Sequence, residues 1–560
     1  MSLAKIAEKV TETDILIVGG GMGGCCLAAK AAEHGLDVTI VEKANSQRSG
    51  SAAAGLDHQN VSHFPIPGVS VSDLVAKFEN RQMVIQGYGR WEDPNLTAIA
   101  LERGLWGTEQ LEKLGIPMKW DDGEWYFIPG AWWENVRMVM RVHWQNIKPM
   151  LSDAAKKKGA KIIERTMIVD LLTNNGRVVG ATAVNTRTGE FSVIKAKATI
   201  IATGHFARCY EPETPSFYKY KLRYHWCPAS ASGDGWAMSY RAGAELANMD
   251  VNGWSFRIRD DPTISFGNFT WNDGITCKYY TWDGQEIGYA TAPKYTELEG
   301  QGKTPLYNSL EHLPADFHKR IEIAYADERL VSYKIAEDRG FDPKTHRYEM
   351  MANKPHNFAG PQGVNIDDDS RTITDGLFAT GKCAAGGFGV TFGGLWLGDN
   401  IHKHISNTPD PTIDEGQVEE QKEIAFRPTK VKDGTHPMEL ESAVRYTCER
   451  YVSQHKSEGK LREGIRRLGS LKREFLPKLE AKNPHYLMRA LECRNVIDLA
   501  EVHINAVLER KESRGNFIRM DYPERDKAFD HMITYQRLEK GKPVLEKRKA
   551  PDLRPEFMKK

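Results

Sequence analysis

Apolar and polar positions along the first 45 residues predict a strand, a helix and a second strand. Asp14–Val18 is a short β-branched apolar run, as buried parallel strands have. Cys25–His34 carries helical spacing, and Val38–Val41 is a second apolar run that ends on Glu42. We therefore expect the chain to open with a βαβ unit.

Glycines occupy the turn between the first strand and the helix. Gly19, Gly21 and Gly24 form a G-x-G-x-x-G pattern, which allows a tight turn, a close approach of the backbone to a pyrophosphate and close helix–strand packing. The following helix N-terminus would face the phosphates, and Glu42 would accept hydrogen bonds from a ribose. The sequence predicts a dinucleotide site here.

Further elements follow in the middle of the chain. Ser70–Gly115 is mostly helical in pattern, and Gln145–Lys158 predicts a helix. Four runs predict strands: Lys161–Val169, Arg177–Asn185, Gly189–Val193 and Ala198–Ile201.

The last 300 residues contain an irregular segment and, after it, a segment with a helical pattern. Residues 254–354 have weak periodicity and are rich in Asp, Asn, Gly and aromatic residues, which we interpret as a compact cap over an active site. From Pro437 onward helical spacing recurs, so the last quarter is expected to be a helical domain. One predicted apolar face comprises Leu461, Ile465, Leu468, Leu471 and Phe475.

Composition narrows the class of protein. A chain of 560 residues exceeds a single core, so two or three domains are expected. The net charge of +1, from 76 Lys and Arg against 75 Asp and Glu, argues against nucleic-acid binding. Since no apolar run approaches the roughly 20 residues of a membrane span, and residues 1–12 lack the apolar core of a signal peptide, we expect a cytoplasmic protein.

The eight cysteines are scattered, and none forms a C-x-x-C pair. This spacing encodes neither a zinc ribbon nor a ferredoxin-type cluster. We expect the thiols to be reduced and buried, and any iron–sulfur electron path to run through another protein.

Three later stretches favour FAD over NAD. Ala198–Gly204 is a strand that runs into a small-residue turn, Ser232–Gly235 opens a helix, and Gly376–Gly387 again combines strand, turn and small residues. Together with the N-terminal fingerprint they resemble the FAD-binding domain of the fumarate reductase/succinate dehydrogenase flavoprotein superfamily. Val507–Asp526 is similar to the R-x-E-S-R-G stretch of the same superfamily, whose arginines would hold carbonyls and carboxylates at the domain junction.

The resemblance implies an α/β fold: a Rossmann-like FAD-binding domain, an inserted α+β capping domain and a C-terminal helical domain. The implied boundaries are 1–253 and 355–430 for the FAD-binding domain, 254–354 for the cap and 431–560 for the helical domain. The residues implied to bind FAD are Gly19, Gly21, Met22, Gly24, Glu42, Lys43, Ser49, Gly50, Ser51, Ala202, Thr203, Gly204, Ser232, Asp234, Gly381, Lys382, Gly393 and Leu395.

Within the superfamily, the chain resembles the adenylylsulfate reductase flavoprotein (α) subunits. Gly50 stands where fumarate reductases carry the histidine that attaches flavin, which implies non-covalent FAD. Asn60 and Arg257 match a pocket asparagine and a catalytic arginine of these reductases, and Trp226 matches a tryptophan beside the flavin. His356 matches an active-site histidine of both branches.

The chain also departs from that branch. Gln145 stands at the position of a pocket glutamate, and Lys382 replaces the acid that usually binds the ribityl chain. Val390–Phe392 does not clearly supply the phenylalanine that sandwiches adenine, and Thr391 stands near a fumarate reductase arginine.

The implied chemistry is a two-electron exchange at flavin N5 with a small anionic substrate. Arg257 would hold the anion, His356 would donate to it or move a proton, Asn60 would orient an oxygen, and Trp226 would exclude water. The implied partner is a ferredoxin-like Fe–S subunit, in a hetero-oligomer. A fumarate reductase-type flavoprotein acting on another organic acid or enone, and an assembly subunit without catalysis, are the alternatives.

Overall fold

The computed structural model describes most of the chain. The described residues are 3–53, 55–60, 68–76, 79, 92–127, 139–210, 228, 230–251, 256–258, 278–288, 292–315, 318–319, 337–342, 344–352, 361–386, 390–452, 455–515 and 517–558. Trp226 and His356 therefore lie outside the described residues.

Helices occur along the whole chain. They are α1 (Leu3–Ile6), α2 (Met22–Glu33), α3 (Pro94–Glu102), α4 (Gly104–Lys113), α5 (Ile147–Lys157), α6 (Asp234–Arg241), α7 (Ala292–Gly300), α8 (Val390–Ile405), α9 (Glu415–Lys430), α10 (Pro437–Tyr451), α11 (Glu458–Glu474), α12 (Pro484–Glu509) and α13 (Pro555–Met558).

Strands alternate with these helices up to α8, and more follow α10 and α12. They are β1 (Lys9–Val18), β2 (Val38–Val41), β3 (Leu56–Asn60), β4 (Tyr126–Phe127), β5 (Val139–Trp144), β6 (Lys161–Ile163), β7 (Thr166–Asn174), β8 (Arg177–Asn185), β9 (Phe191–Ile201), β10 (Leu246–Ala247), β11 (Phe256–Ile258), β12 (Lys278–Thr281), β13 (Glu286–Ile287), β14 (Leu306–Ser309), β15 (Tyr348–Ala352), β16 (Gly363–Val364), β17 (Leu377–Ala379), β18 (His455–Lys456), β19 (Ile518–Arg519), β20 (Met532–Glu539) and β21 (Lys542–Lys549).

The central sheet has the order β6-β2-β1-β9-β8-β7, and β17 also pairs with β9. Strands β6, β2, β1, β9 and β17 are parallel, whereas β9, β8 and β7 form an antiparallel meander. Ile15–Val18 is almost fully buried, as expected for a parallel strand covered on both faces. The carboxyl ends of β1 and β9 meet at one edge of this sheet, where Ala202 N donates to Val18 O at 2.9 Å.

Helices α2 and α8 pack side by side on the sheet through glycines. A side chain at Gly394 would lie 2.3 Å from Gly23 O, and one at Gly398 would lie 2.5 Å from Leu27 O. Because 394 meets 23 and 398 meets 27, the two helices run parallel. Their N-termini therefore lie at the same end of the pair.

The segment interpreted as a cap has its own sheet. Its described strands form a five-stranded antiparallel sheet in the order β11-β15-β14-β12-β13. The boundaries of the capping domain stay a prediction.

The C-terminal part begins with the expected helices. Helices α10, α11 and α12 pack on one another, and Leu461 and Leu468 are fully buried between them. Phe475 ends α11 and is 42% exposed, so the predicted apolar face stops before it. Strands β20 and β21 then form an antiparallel hairpin that joins β10 and β16 in a second sheet, which helical spacing did not predict.

Two strand predictions needed correction. The run 161–169 divides into β6 and β7, because Glu164 and Arg165 turn the chain and Arg165 has a φ of 53°. Residues 191–193 and the run 198–201 belong to the single strand β9, and residues 189–190 lie before it. Strand β9 pairs with a β1 that begins at Lys9 rather than Asp14.

No helix in the described part of the chain combines the length and the apolar character that crossing a bilayer requires.

Candidate functional site

The turn after β1 has the geometry that the glycine pattern predicts. Gly19 has a φ of 106°, and a Cβ there would lie 2.7 Å from Ala202 O. A Cβ at Gly24 would lie 2.1 Å from Gly19 O, so only glycine permits this approach of helix to turn. Gly21 is open by contrast, with its nearest neighbour 3.9 Å from a Cβ position.

Helix α2 offers its N-terminus at this open position. Gly21 is its N-cap, and no side chain caps the helix. Within the described part of the chain the Gly21 N–H has no protein acceptor. Unpaired first-turn N–H groups and the helix dipole together favour a bound anion such as pyrophosphate.

Glu42 holds the turn at the end of β2. Its Oε2 accepts from Gly20 N at 2.7 Å, and its Oε1 accepts from Ala44 N at 2.7 Å. The residue is only 7% exposed. Each carboxylate oxygen keeps a second lone pair, so the predicted acceptance of ribose hydroxyls is compatible with this geometry.

The segment after Glu42 is fixed against the same turn. Ser46 Oγ lies 2.7 Å from Ser152 Oγ on α5 and 2.7 Å from Glu164 Oε1. This brings Gly50 to the turn, where its Cβ position lies 3.5 Å from Gly21 Cα.

Two more of the predicted cofactor residues lie at this turn, whereas the contact of Ser51 with FAD stays a prediction. Ser49 Oγ donates to Gly20 O at 3.4 Å, and Met22 is buried at the start of α2. Ser51 is exposed.

The three later stretches predicted to meet FAD converge around Thr203. Thr203 Oγ1 accepts from Gly235 N at 3.2 Å and lies 3.2 Å from Cys383 Sγ. Trp236 Nε1 donates to Cys383 O at 2.9 Å. The segments 202–204, 232–235 and 381–383 therefore form one surface beside the glycine turn.

Two glycines and a buried thiol contribute to that surface. Gly204 and Gly381 have φ values of 80° and 65°, which glycine adopts without strain. Burial raises the pKa of the Cys383 thiol to about 11, so it stays protonated.

Lys43, Ser232 and Asp234 were predicted to bind FAD, and the structure places their side chains in a charge cluster. Lys43 Nζ donates to Ser232 Oγ at 2.9 Å, to Asp234 Oδ2 at 2.7 Å and to Glu492 Oε1 at 2.7 Å. Asp234 Oδ1 accepts from Asn495 Nδ2 on α12. Direct contact of these side chains with FAD stays a prediction.

This charge cluster joins the flavin-binding part to the C-terminal helices. Arg208 Nη1 donates to Glu492 Oε2 at 2.6 Å, and its other nitrogens donate to Glu441 on α10. Burial acts to raise the pKa of Glu492, but Lys43, Arg208 and Arg489 lower it to about 2. The carboxylate is therefore charged at neutral pH.

Helix α8 and the preceding turn supply the remaining predicted cofactor residues. Gly393 lies in the first turn of α8, near its N-terminus, whereas the Leu395 side chain is fully buried in the apolar core against α2. Lys382 is an exposed side chain on the 3-10 helix Gly381–Cys383. Protein atoms around it lower the pKa of its ammonium, and the charge of Glu92 opposes that shift.

The structure places two of the four predicted catalytic residues only by their backbone. Asn60 ends β3, where it pairs with Val139. Arg257 lies in β11 of the cap sheet, where it pairs with Met351. Trp226 and His356 lie outside the described residues, so the four catalytic roles stay predictions.

The departures from the reductase pattern are placed in part. Gln145 is exposed at the end of β5. Phe392 is buried against α4, where a Cβ at Gly107 would lie 2.1 Å from its ring. The Thr391 side chain is outside the described part.

Sequence reasoning missed Lys148, which is fully buried directly beneath the glycine turn. Its Nζ donates to Gly20 O and lies 3.7 Å from Cys25 Sγ. No periodicity marks it, because it sits beside the apolar face of α5 rather than within a motif.

The described residues fit a dinucleotide cofactor. FAD needs space at the turn, which Gly21 leaves open. It also needs hydrogen-bond donors, which the uncapped N-terminus of α2 provides, and an acceptor, which Glu42 provides at the end of β2. The arrangement can hold a pyrophosphate at the end of β1 and place the rest of the cofactor along segments 202–204 and 381–383.

Comparison with known proteins supports this interpretation over most of the chain. The family described as "FAD binding domain" matches residues 14–257, and "Fumarate reductase flavoprotein C-term" matches residues 441–555. The chain is 24% identical to one of the subunits of the fumarate reductase (CoM/CoB) of Methanothermobacter marburgensis, over 95% of this chain and 98% of the relative. It is 24% identical to the L-aspartate oxidase of Yersinia pestis, over 91% and 96%.

A solved structure, the adenylylsulfate reductase of Archaeoglobus fulgidus, is similar with a TM-score of 0.82 and 25% identity, over 98% of this chain and 96% of that chain. The α/β fold with its FAD-binding and C-terminal flavoprotein domains is thereby confirmed. The two family matches, the glycine turn and the converging segments lead to one conclusion: the chain belongs to the FAD-binding fumarate reductase/succinate dehydrogenase flavoprotein superfamily and is an FAD-dependent oxidoreductase.

Proposed function

We propose that the protein is an adenylylsulfate reductase-type flavoprotein subunit. The observation that carries this proposal is the similarity to the adenylylsulfate reductase structure along nearly the whole chain. In the proposed reaction two electrons enter the sulfur of adenylylsulfate, the S–O bond to the adenylyl phosphate breaks, and sulfite and AMP leave, or the reverse. Bound FAD would supply the two-electron redox chemistry.

FAD would be bound without a covalent link. Gly50, which lies against Gly21, has no side chain that could attach to a flavin. Gly19, Gly21 and Gly24 would receive the pyrophosphate, Glu42 the ribose, and segments 202–204 and 381–383 the remainder.

The substrate anion would be held by residues of the cap and of the flavin-binding part. We propose that residues 254–354 cover the flavin and that Arg257, on the edge strand β11, supplies a permanently charged fork for the sulfur oxygens. His356 would donate a hydrogen bond or a proton, Asn60 would orient one oxygen, and Trp226 would exclude water.

The proposed electron partner is a ferredoxin-like Fe–S subunit in a hetero-oligomer. The name of the M. marburgensis relative describes one subunit of an enzyme, which supports a partnered chain. Isolation of the tagged chain from its native source, with iron determination on what accompanies it, tests this part. An iron-containing partner is expected, and a flavoprotein that reduces substrate alone contradicts it.

Fumarate reductase-type chemistry on an organic acid is the second candidate. It is favoured by the match of residues 441–555 to the fumarate reductase flavoprotein C-terminal family and by the similarity to the M. marburgensis fumarate reductase. In this case an enoate would accept a hydride and a proton in place of the sulfur reaction.

An anaerobic assay separates the two candidates. Flavin reduced by dithionite is mixed with adenylylsulfate or, separately, with fumarate, and reoxidation of the flavin is followed. We expect adenylylsulfate to reoxidise the flavin with release of AMP and sulfite. Reoxidation by fumarate alone would transfer the assignment to the second candidate.

Replacement of the proposed anion clamp gives the matched test. Arg257→Ala is expected to lower kcat/KM for the true substrate by about a hundredfold, because it removes a charge-assisted fork. Arg466→Ala, which removes an exposed guanidinium from α11, is the control and should leave kcat/KM unchanged. Equal activity of Arg257→Ala and the control would remove Arg257 from the site.

A further inference from the structure

Lys148 is a cation buried beneath the glycine turn. The Lys148 residue is 0% exposed, and its Nζ contacts Gly20 O and Cys25 Sγ. Among the residues that the structure describes, no carboxylate forms an ion pair with it. A buried charge without a direct ion pair is costly, so an additional anion close to it would be stabilising.

The neighbouring carboxylates do not bond to Lys148 and accept hydrogen bonds from other groups. Burial raises the pKa of the Cys25 thiol, although Lys148 opposes the shift, so the sulfur is neutral. Glu42 is bonded to Gly20 N and Ala44 N, and Glu164 is bonded to Ser46. The open side of the glycine turn has room for an additional anion.

The Gly20–Gly21 peptide bond lies between Lys148 and the open side of the glycine turn. The Gly20–Gly21 peptide is planar and trans, so its C=O and N–H point in opposite directions. Lys148 Nζ donates to Gly20 O together with the Cys25 thiol and the Ser49 hydroxyl, and these donors hold the oxygen toward the protein interior. The Gly21 N–H therefore points to the open position at the start of α2. A cation on the carbonyl oxygen also polarises the peptide and makes the N–H a stronger donor.

We propose that Lys148 is a positioning residue for the pyrophosphate of FAD: it orients the Gly21 N–H toward the phosphates and provides the buried positive charge that their anion compensates. The inference rests on FAD binding within the function proposed above, and it is independent of which substrate the flavin serves. It predicts that replacement of Lys148 weakens the binding of ligands that carry phosphates and leaves the contacts with the isoalloxazine ring intact.

The test compares three ligands of the flavin-depleted full-length protein. In Lys148→Met, the Kd values of FAD and ADP are expected to rise by about tenfold to a hundredfold, since a charged hydrogen bond is lost. Riboflavin, which has no phosphate, should bind with a Kd within about twofold of the unchanged protein. Lys148→Gln keeps a donor without the charge and should fall between.

The matched control is Lys156→Met, which removes a lysine from the exposed side of the same helix α5. It should leave all three affinities unchanged. A loss of riboflavin affinity equal to that of FAD, or FAD and ADP affinities within about twofold of the unchanged protein, would overturn the proposal.

A second readout covers the case in which Lys148→Met does not fold without flavin. The rise in unfolding temperature that ADP causes is then compared between Lys148→Gln and the unchanged protein. A smaller rise supports the proposal, and an equal rise overturns it. A protein that shows the phosphate-dependent pattern but does not react with adenylylsulfate would retain Lys148's role and lose only the substrate assignment.

Discussion

At the scale of single residues, His503 shows how burial fixes a protonation state. The ring is fully buried on α12, its Nδ1 lies 2.6 Å from Met249 O, and its Nε2 lies 2.7 Å from the Tyr210 hydroxyl. Since Met249 O can only accept, Nδ1 donates to it, and Nε2 then accepts from Tyr210. Burial lowers the pKa of His503 to about 4, and Lys456 acts in the same direction.

This pKa predicts acid sensitivity with a definite sign. The neutral ring is favoured in the folded state, so its contribution to stability is complete above the unfolded pKa of about 6.5 and falls as pH drops toward 4. Between about pH 7.5 and pH 5 the loss is about 2 kcal/mol.

Apparent unfolding temperatures at these two pH values measure the effect. His503→Gln is expected to show a smaller decrease on acidification than the unchanged protein, while His485→Gln, at an exposed histidine, should keep the original decrease. An unaltered decrease in His503→Gln would contradict the assignment.

At the scale of elements, α12 is held to the flavin-binding part by buried ion pairs. Glu492 bonds Lys43 and Arg208, and Arg241 on α6 bonds Asp170 and Asp498. The C-terminal motif adds Arg510, which pairs with Asp250, as the resemblance implied for the domain junction. Arg519 instead donates to carbonyls at the end of α12, such as Val507 O at 3.1 Å.

Removal of one partner from such a cluster leaves the other charges uncompensated. Glu492→Gln is expected to cost about 3 kcal/mol of unfolding free energy, because Lys43 and Arg208 stay buried. Denaturant unfolding followed by fluorescence measures the loss. Glu463→Gln, on the exposed face of α11, is the control and should change stability little.

A double variant makes the interpretation specific. Lys43→Met combined with Glu492→Gln should lose less stability than the sum of the single variants, because each charge is costly only while the other is missing. Strict additivity would show that the two residues do not act as a pair.

The same contacts explain what could be predicted from the sequence. The βαβ unit and its glycine turn follow from residues within about 30 positions of one another, so local pattern and turn chemistry were sufficient. The charge cluster was not predictable, since Lys43 and Glu492 lie 449 positions apart. The contact between Lys148 and Gly20 was not predictable for the same reason, since the two residues lie 128 positions apart.

The sequence pattern did not predict the strands of the C-terminal hairpin, because exposed positions there break the alternation of apolar and polar residues. Strands β20 and β21 carry many charged residues, including Lys542 and Lys549, and β21 has no fully buried position. A hairpin that is open to solvent in this way resembles an exposed helix in composition. Strand β20 pairs with β10, which lies some 290 residues earlier (Leu246 with Gln536), and β21 pairs with β20, so local pattern could not indicate the strands.

At the scale of the whole molecule, one sheet edge organises the chain. The carboxyl ends of β1 and β9, the parallel N-termini of α2 and α8, and the segments 202–204 and 381–383 all meet there. The cap sheet carries Arg257, and α12 is joined to the flavin-binding part through Glu492. This convergence is what an FAD-dependent oxidoreductase requires, with the cofactor bound at the carboxyl edge of a parallel sheet.

The visible spectrum of the purified protein, recorded while sulfite and then AMP are added, tests the proposed sulfur chemistry most directly. We predict that the flavin band at about 450 nm bleaches with sulfite. Only when AMP is present, and takes up the sulfur group as adenylylsulfate, should the flavin pass its two electrons to an added electron acceptor. A flavin band that is indifferent to both compounds would contradict the adenylylsulfate assignment.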